Sequence, residues 1–295
     1  MPGAGLPARR PARVGGRLNA DLASGLVARA FPEWAGLPVR EVAPQGHDHR
    51  TFRLGEELAV RLPSAAEYVP QLAKEVRWLP HLGAHLPFPV PEVVAVADPT
   101  PEFPLPWSVR RWLPGDVASR ARPDPGLLAR DLGAALVALR AVPAAGGPPP
   151  GDHSAHRGGP LAHYADEART AIRTLPADTR DRADAVVDEA LASTWTSDPV
   201  WFHGDVAVDN LLVRDGRLAG LIDFGCSGVG DPACDVVPAW TVVDAADREV
   251  FRAALGLDED TWARGRGWAL WKAVITLADP ARGAAARATL RTLLA

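Results

Sequence analysis

A short polar segment near residue 205 contains the side chains best suited to chemistry. It includes Asp205 and Asn210, and a second carboxylate, Asp223, follows after two apolar runs. Carboxylate and amide oxygens are hard ligands of the kind that Mg²⁺ prefers in proteins. A further carboxylate beside such a site can orient a hydroxyl group and accept its proton. The three residues together are the set that phosphoryl transfer requires.

Apolar residues around this segment are expected to hold it on rigid supports. Residues 211–213 and 218–222 are two apolar runs joined by a turn at Asp215 and Gly216, which predicts a small hairpin between Asn210 and Asp223. His203 precedes the segment, and we expect its ring to be packed and hydrogen-bonded beneath the loop rather than to take part in the chemistry.

The order and spacing of these residues resemble a known family. H-G-D-x-x-x-x-N is formed by His203, Gly204, Asp205 and Asn210, I-D-F-G is formed by residues 222–225, and G-D-P-x-x-D is formed by residues 230–235. This combination is similar to the aminoglycoside phosphotransferase family, small-molecule kinases related to the protein kinases. The resemblance implies that Asp205 is the catalytic base and that Asn210 and Asp223 hold Mg²⁺.

The same resemblance implies a nucleotide site in the first third of the chain, with ATP as the phosphoryl donor and GTP as an alternative. The loop at residues 45–50 would cover the phosphates with its backbone N–H groups. A strand arginine and a helix glutamate would form an ion pair at the nucleotide, and residues 107–115 would pair with adenine as an interlobe hinge. The implied nucleotide-contacting residues are Gly46, His47, Arg61, Glu75, Arg110 and Trp112. Lys74, beside Glu75, is expected to be solvated.

Two features favour a small-molecule acceptor over a protein acceptor. Gly204 occupies the position where protein kinases carry an arginine, and the few residues between Gly225 and Asp231 leave no room for a long activation loop. Residues 231–260 contain eight acids and two arginines, and this local balance of −6 favours a cationic acceptor such as an aminoglycoside. The candidate acceptor-binding residues are Asp209, Asp231 and Asp235. A macrolide, a nucleoside antibiotic and a sugar-like metabolite remain open as acceptors.

Composition narrows the partners further. The 295-residue chain has a net charge of −4, so it lacks the positive footprint of a nucleic-acid-binding protein. No run of about 18 apolar residues is present, and no membrane span is predicted. Cys226 and Cys234 have neither metal-ligand nor disulfide-framework spacing, which favours a reducing cytoplasm. Both a monomer and a homodimer remain open.

The coarse pattern is β-rich first and helix-rich afterwards, which predicts an α+β protein with a bilobal, protein-kinase-like fold. We expect a flexible tail at residues 1–18, a β-rich N-terminal nucleotide-binding lobe at 19–113, and a larger, mostly helical catalytic and acceptor-binding lobe at 114–295. Helical periodicity is clearest at residues 20–34, 65–82, 124–141, 161–175 and 180–192.

Other functions remain open at this point. One is a housekeeping kinase for a metabolite such as a sugar, an amino alcohol or homoserine. Another is a non-catalytic nucleotide-binding protein on the same fold, although the presence of all three polar residues argues against it. A metal-dependent phosphohydrolase is disfavoured because the sequence has no second cluster of His and Asp for a two-metal site.

Overall fold

The computed structural model describes residues 18–295 in two compact units. Apart from Leu18, the predicted flexible tail lies outside the described residues. The first unit contains residues 18–80 and 91–113, and the second contains residues 81–90 and 114–295. The structure thus assigns residues 81–90 to the second unit, whereas the sequence pattern groups them with the first. Within the described range, no helix is both long and apolar enough to cross a membrane.

The first unit is built on an antiparallel sheet. Its elements are α1 (Ala20–Ala30), β1 (Val39–Glu41), β2 (His49–Leu54), β3 (Leu58–Pro63), α2 (Val69–His85, whose last residues belong to the second unit), β4 (Val93–Ala97) and β5 (Trp107–Arg111). The strand order is β1-β2-β3-β5-β4, and each pair of neighbours is antiparallel. Every residue of β3 is buried, as expected for the central strand.

Aromatic residues fill the core of the first unit. Phe52, Phe103 and Trp107 are fully buried, and they pack with apolar residues of α1 such as Leu26. The predicted helix at residues 20–34 ends earlier than expected, at Ala30. A short 3₁₀ turn that starts with a proline follows it, and proline cannot continue an α-helix because it lacks the N–H donor.

The second unit is mostly helical. Its further elements are β6 (Asp116–Val117), α3 (Pro125–Ala141), α4 (Ala165–Ile172), α5 (Ala177–Leu191), β7 (Val200–Phe202), β8 (Leu211–Arg214), β9 (Arg217–Leu221), β10 (Gly228–Gly230), α6 (Pro238–Thr241), α7 (Arg248–Leu255), α8 (Glu259–Thr276) and α9 (Gly283–Leu293). Strands β6, β8 and β9 form one small sheet, and β7 and β10 form another. The predicted hairpin is thus β8–β9. A β-rich first unit and a helical second unit confirm the predicted α+β class.

Helix α8 lies at the centre of the second unit, in contact with α4, α5 and α9. Two glycines let it approach its neighbours closely. A Cβ atom on Gly267 would lie 2.4 Å from the Cβ of Ala190, and one on Gly265 would lie 2.5 Å from the Cβ of Val236. No side chain fits at these distances. Close packing therefore sets the position of the residues that α8 carries, including Trp268.

The predicted helices are present, and some of them begin at a later residue than predicted. Helix α3 begins where expected, because the Asp124 carboxylate caps it by accepting the Leu127 N–H at 2.9 Å. Helix α4 begins only at Ala165, since residues 161–164 form a 3₁₀ turn after Pro160. Helix α2 likewise begins at Val69 after a 3₁₀ turn at Ala66–Tyr68.

Candidate active site

The H-G-D segment leaves β7 in a conformation held by His203. This side chain is fully buried, its Nε2 lies 3.1 Å from the Ile222 carbonyl oxygen, and its Nδ1 accepts the Asp205 N–H at 3.3 Å. Because Nδ1 accepts, the proton is on Nε2, which donates to the carbonyl. The imidazole therefore braces the loop from beneath, as the sequence predicts.

Glycine is required at the middle of the segment. Gly204 has φ of +82°, and a Cβ atom there would lie 2.6 Å from the Cys226 carbonyl oxygen. A side chain would be strained by the backbone conformation and would also collide with backbone. Gly204 therefore lets the chain turn sharply just before Asp205.

Asp205 forms an ion pair that no sequence pattern predicted. Its Oδ1 accepts a hydrogen bond from Lys272 Nζ at 2.9 Å, and its side chain remains 37% exposed. Enclosure by protein acts to raise the pKa of Asp205, but the Lys272 ammonium outweighs it, with help from Arg157, and holds this pKa below its ordinary value. Asp205 is thus a carboxylate at neutral pH, which is the form that accepts a proton.

Asn210 connects the two carboxylates. Its side-chain Nδ2 donates to the backbone carbonyl oxygen of Asp205 at 2.8 Å. The backbone carbonyl oxygen of Asn210 accepts the Ile222 N–H at 3.0 Å. Since Ile222 directly precedes Asp223, the hairpin returns the chain to the start of the loop. The structure therefore brings Asp205, Asn210 and Asp223 into one region of the second unit, as the sequence predicts.

The donor set at this place suits Mg²⁺. The Asn210 amide uses its nitrogen for Asp205, so its Oδ1 faces away from that bond, and Asp223 offers a partly exposed carboxylate. Asp223 has φ of +65°, a conformation that is costly for a residue with a side chain and that is common at functional sites. Mg²⁺ commonly takes one or two protein oxygens and completes its octahedron with water and phosphate. The residues present fit that pattern.

Two of the three candidate acceptor acids have structural roles instead. Asp235 is buried, and its two oxygens accept the N–H groups of His203 at 2.7 Å and Gly204 at 2.8 Å. Asp231 is buried in an ion pair with Arg264 at 2.7 Å. Burial raises the pKa of both carboxyls. The prediction that they contact the acceptor is corrected, because every oxygen of these two buried carboxylates already accepts a hydrogen bond within the protein.

Asp209 has a different position from the other two. It is exposed, and its Oδ1 accepts a hydrogen bond from the Ser119 hydroxyl. Of the three acids, it alone remains accessible at the catalytic loop. Asp231 and Asp235 therefore no longer support the charge argument for a cationic acceptor.

In the first unit, Glu75 is the centre of a buried charge cluster. Its carboxylate accepts hydrogen bonds from Arg110 at 2.8 Å and from Arg61 at 3.4 Å, and Arg61 also lies 3.2 Å from Nδ1 of His49. Burial acts to raise the pKa of Glu75, but Arg110 and Arg61 outweigh it and hold this pKa far below its ordinary value. The predicted Arg61–Glu75 pair is therefore present, with a second arginine added.

Arg110 and Trp112 have contacts that the sequence does not indicate. Arg110 is buried, and its side chain forms an ion pair with Glu75, while the adenine contact predicted for the backbone groups in this segment stays a prediction. The backbone N–H of Trp112 donates to the Glu57 carbonyl oxygen at 2.7 Å, so this one donor is engaged within the protein. Lys74 is also buried rather than solvated. Sequence spacing does not reveal these contacts because they join separate strands and a helix.

The proposed phosphate loop is anchored through its carbonyl groups. The His47 carbonyl oxygen accepts the Ser64 hydroxyl at 2.8 Å, and the Gly46 carbonyl oxygen accepts a hydrogen bond from Arg50. Nη1 of Arg110 and Nε2 of His49 are buried, and neither has a hydrogen-bond partner within residues 18–295. Buried donors are normally paired, so these two atoms are exceptions within the charge cluster.

The buried Glu75 cluster has a measurable consequence. We expect Glu75→Gln to lower the free energy of unfolding by about 3 kcal/mol at pH 7, because two buried guanidinium groups lose their counter-ion. The Glu75 contribution is complete above its unfolded pKa of 4.5 and is lost as the pH falls through the depressed folded pKa. The gap between wild type and variant, measured by urea unfolding, should therefore narrow below pH 4.5.

A matched control is Glu92→Gln, which removes an exposed carboxylate paired with Arg111 at 3.1 Å in the same unit. This variant should change stability by less than about 0.5 kcal/mol. Equal effects of the two substitutions would contradict the role given to Glu75.

Comparison with known proteins agrees with this geometry. Residues 39–268 match the phosphotransferase enzyme family. An aminoglycoside 3'-phosphotransferase from Escherichia coli is 40% identical over 47 residues, a match that covers 16% of this chain and 17% of that relative. The chain thus spans only a small part of that relative's length in the aligned region.

Solved structures of similar fold cover nearly the whole chain. The GDP complex of wild-type aminoglycoside 2'-phosphotransferase-IIIa has a TM-score of 0.74 and 18% identity, covering 93% of this chain and 98% of that one. The macrolide 2'-phosphotransferase of Brachybacterium faecium has a TM-score of 0.60 and 21% identity, covering 93% and 97%. These two likenesses show a shared fold, and the matched residues 39–268 include every motif described above. The chain belongs to the phosphotransferase enzyme family.

Proposed function

We propose that this protein is an ATP-dependent, Mg²⁺-requiring kinase that transfers the γ-phosphoryl group to a hydroxyl of a small molecule. One observation carries the proposal: Asn210 hydrogen-bonds to Asp205 through its side chain and to the residue before Asp223 through its backbone. A base and two oxygen ligands are thereby held in one region, as phosphoryl transfer requires.

In the proposed reaction, Asp205 accepts the proton of the acceptor hydroxyl. The hydroxyl oxygen forms a bond to the γ-phosphorus, and the bond from that phosphorus to the bridging oxygen of ADP breaks. Asn210 and Asp223 would hold Mg²⁺, which neutralises charge on the phosphate oxygens. Because Lys272 and Arg157 keep the pKa of Asp205 low, the base is ready at neutral pH, and these cations also balance its charge.

The first unit is the proposed nucleotide-binding unit. The residues that support this are Arg61 and Arg110, which Glu75 holds in place, together with the loop that contains Gly46 and His47. The solved relatives include GDP and ADP complexes, so GTP is tested beside ATP as the donor. The two cysteines are free thiols, in keeping with a proposed cytoplasmic location.

Antibiotics are the first acceptors to test, because the relatives named above act on aminoglycosides and macrolides by name. A housekeeping metabolite kinase is the second candidate. It is favoured by the positive charge beside Asp205, described below. The two candidates share the same transfer chemistry and differ only in the acceptor.

The proposal is tested by incubating the purified chain with Mg·ATP or Mg·GTP and a panel of hydroxylated antibiotics and metabolites. We expect acceptor-dependent release of nucleoside diphosphate, and a phosphate monoester on one hydroxyl of the product, detected by mass spectrometry and ³¹P NMR. Nucleotide binding is measured separately by calorimetry. Binding of nucleotide without any transfer across the panel would favour the non-catalytic alternative.

A further inference from the structure

The pocket beside Asp205 has a positive lining. It is open to solvent, has a cavity volume of about 10 Å³, and contains Arg157, Asp205, Trp268, Trp271 and Lys272 in its wall. Two cations therefore face one carboxylate. The candidate acceptor acids Asp231 and Asp235 are not part of this wall. Asp231 is paired with Arg264, and Asp235 accepts two backbone N–H groups of the catalytic loop.

Arg157 is held by backbone and aromatic contacts. Its Nε donates to the Gly204 carbonyl oxygen at 3.2 Å, and its guanidinium lies 4.5 Å from the ring centre of Trp271 and 5.2 Å from that of Trp268. Within residues 18–295, its Nη2 donates to no protein group, and it remains available to a ligand. Arginine in this setting is well suited to bind an anionic oxygen.

Lys272 completes the positive edge. Its ammonium has three N–H donors, and its one hydrogen bond to another side chain in the described range goes to Asp205 at 2.9 Å. Lys272 is 39% exposed, so solvent reaches the remaining donors. An anion bound near Arg157 and Lys272 would balance the second positive charge, whereas an ammonium group would be repelled by both residues.

Stacking and a hydrogen bond also fix the orientation of the Trp271 ring in the wall of the pocket. Trp271 stacks on Tyr164 with ring centres 4.2 Å apart, and its Nε1 donates to Glu167 at 2.7 Å. That hydrogen bond engages Glu167, the acid nearest the aromatic wall. Both indoles are buried, and the Arg157 guanidinium lies over them, so the aromatic wall holds Arg157 in position. A cavity volume of about 10 Å³ admits a group of the size of a water molecule, so the pocket can hold one small polar group while the rest of a ligand lies outside it.

We propose that Arg157 and Lys272 form an anion subsite beside Asp205, so that the acceptor is a hydroxylated compound carrying a carboxylate or another anionic group. This inference rests on the proposed function, because it assigns the substrate class of the same site. The hydroxyl would lie at Asp205 and the anionic group at Arg157 and Lys272.

Three probes that differ in one group test this subsite. They are phenyl β-D-glucuronide, phenyl β-D-glucoside and phenyl 6-amino-6-deoxy-β-D-glucoside, which carry a carboxylate, a hydroxymethyl and an ammonium group on the same ring. Binding to the full chain without nucleotide is measured by calorimetry and tryptophan fluorescence. We expect the glucuronide to bind about tenfold more tightly than the glucoside, and the amine more weakly than the glucoside.

Variants locate the effect. Lys272→Gln and Arg157→Gln should each remove most of the preference for the glucuronide, and Lys272→Arg should retain it. The control Arg282→Gln removes an exposed arginine of the same unit, paired with Asp279 at 2.7 Å, and should change nothing. Circular dichroism checks that each variant is folded; because Arg157 supports Gly204, Lys272→Gln decides the question if Arg157→Gln fails to fold.

Several outcomes would overturn the subsite. They are equal binding of the three probes, tighter binding of the amine, a preference that survives Lys272→Gln, or no binding of the glucuronide. These measurements need no phosphoryl transfer, so their failure is separate from failure of the proposed function. Efficient phosphorylation of a polycation would overturn the anion subsite and leave the kinase activity standing.

Discussion

Asp205→Asn should lower kcat by about 10² or more, with any acceptor that the wild-type protein phosphorylates. The amide keeps the shape of the side chain but cannot accept the proton of the attacking hydroxyl. It also loses the charge that pairs with Lys272 at 2.9 Å. The fold and the affinity for Mg·ATP should be retained, because His203, Gly204 and Asp235 hold the loop independently of this carboxylate.

The measurement is steady-state kinetics with a verified acceptor, together with nucleotide titration by calorimetry. Asp215→Asn is a matched control, because it is the same substitution at an exposed turn of the nearby hairpin, where φ is +53° and asparagine is tolerated. Its kcat should stay within about twofold of wild type. Near wild-type turnover in Asp205→Asn would remove Asp205 from its proposed role.

The catalytic loop was predictable because its residues are close in sequence. Between Asp205 and Asn210 the chain makes one short turn, and the β8–β9 hairpin then returns it to Asp223. A turn at Asp215 and Gly216 between two apolar runs specifies such a hairpin locally. Local patterns of this kind determine geometry with little help from the rest of the fold, so the motif alone predicted that the three residues share one region.

Lys272 and Arg157 were not predicted, because their contacts depend on tertiary packing. Lys272 is 67 positions from Asp205 in the sequence, and it arrives there only because α8 packs tightly through its glycines. Arg157 comes from an irregular segment with no periodic pattern. One signal was available: Lys272 is one of only two lysines in a chain rich in arginine. A rare residue on a core helix indicates a specific contact.

The charge of the acids in residues 231–260 was a misleading guide to the acceptor, because two of these acids are buried. The charge count over residues 231–260 treated every acid as exposed. In the structure, Asp231 forms a buried ion pair with Arg264, and Asp235 accepts hydrogen bonds from two backbone N–H groups. Sequence alone does not distinguish a solvated carboxylate from one that caps a loop. The same limit applies to Arg110. In the sequence it cannot be distinguished from an exposed strand arginine, whereas in the structure it forms a buried ion pair with Glu75.

Asp223→Asn should weaken the binding of Mg·ATP by about tenfold or more, and leave the binding of metal-free ATP unchanged. Asparagine is preferred to alanine here, because φ at this position is +65° and asparagine tolerates that conformation. The substitution removes the negative charge of the proposed Mg²⁺ ligand and retains the shape. Calorimetry with and without chelator separates the loss of the metal contribution from a general loss of nucleotide affinity.

The activity of this variant should also require more Mg²⁺ for half-maximal rate, because the remaining protein ligand is the neutral Asn210 amide. Asp198→Asn, an exposed acid in the same unit, is the control and should behave as wild type. Unchanged Mg·ATP affinity in Asp223→Asn would show that this carboxylate does not hold the metal. An equal loss with and without Mg²⁺ would instead indicate a distorted loop, since Asp223 follows directly on the Ile222 amide that hydrogen-bonds to Asn210.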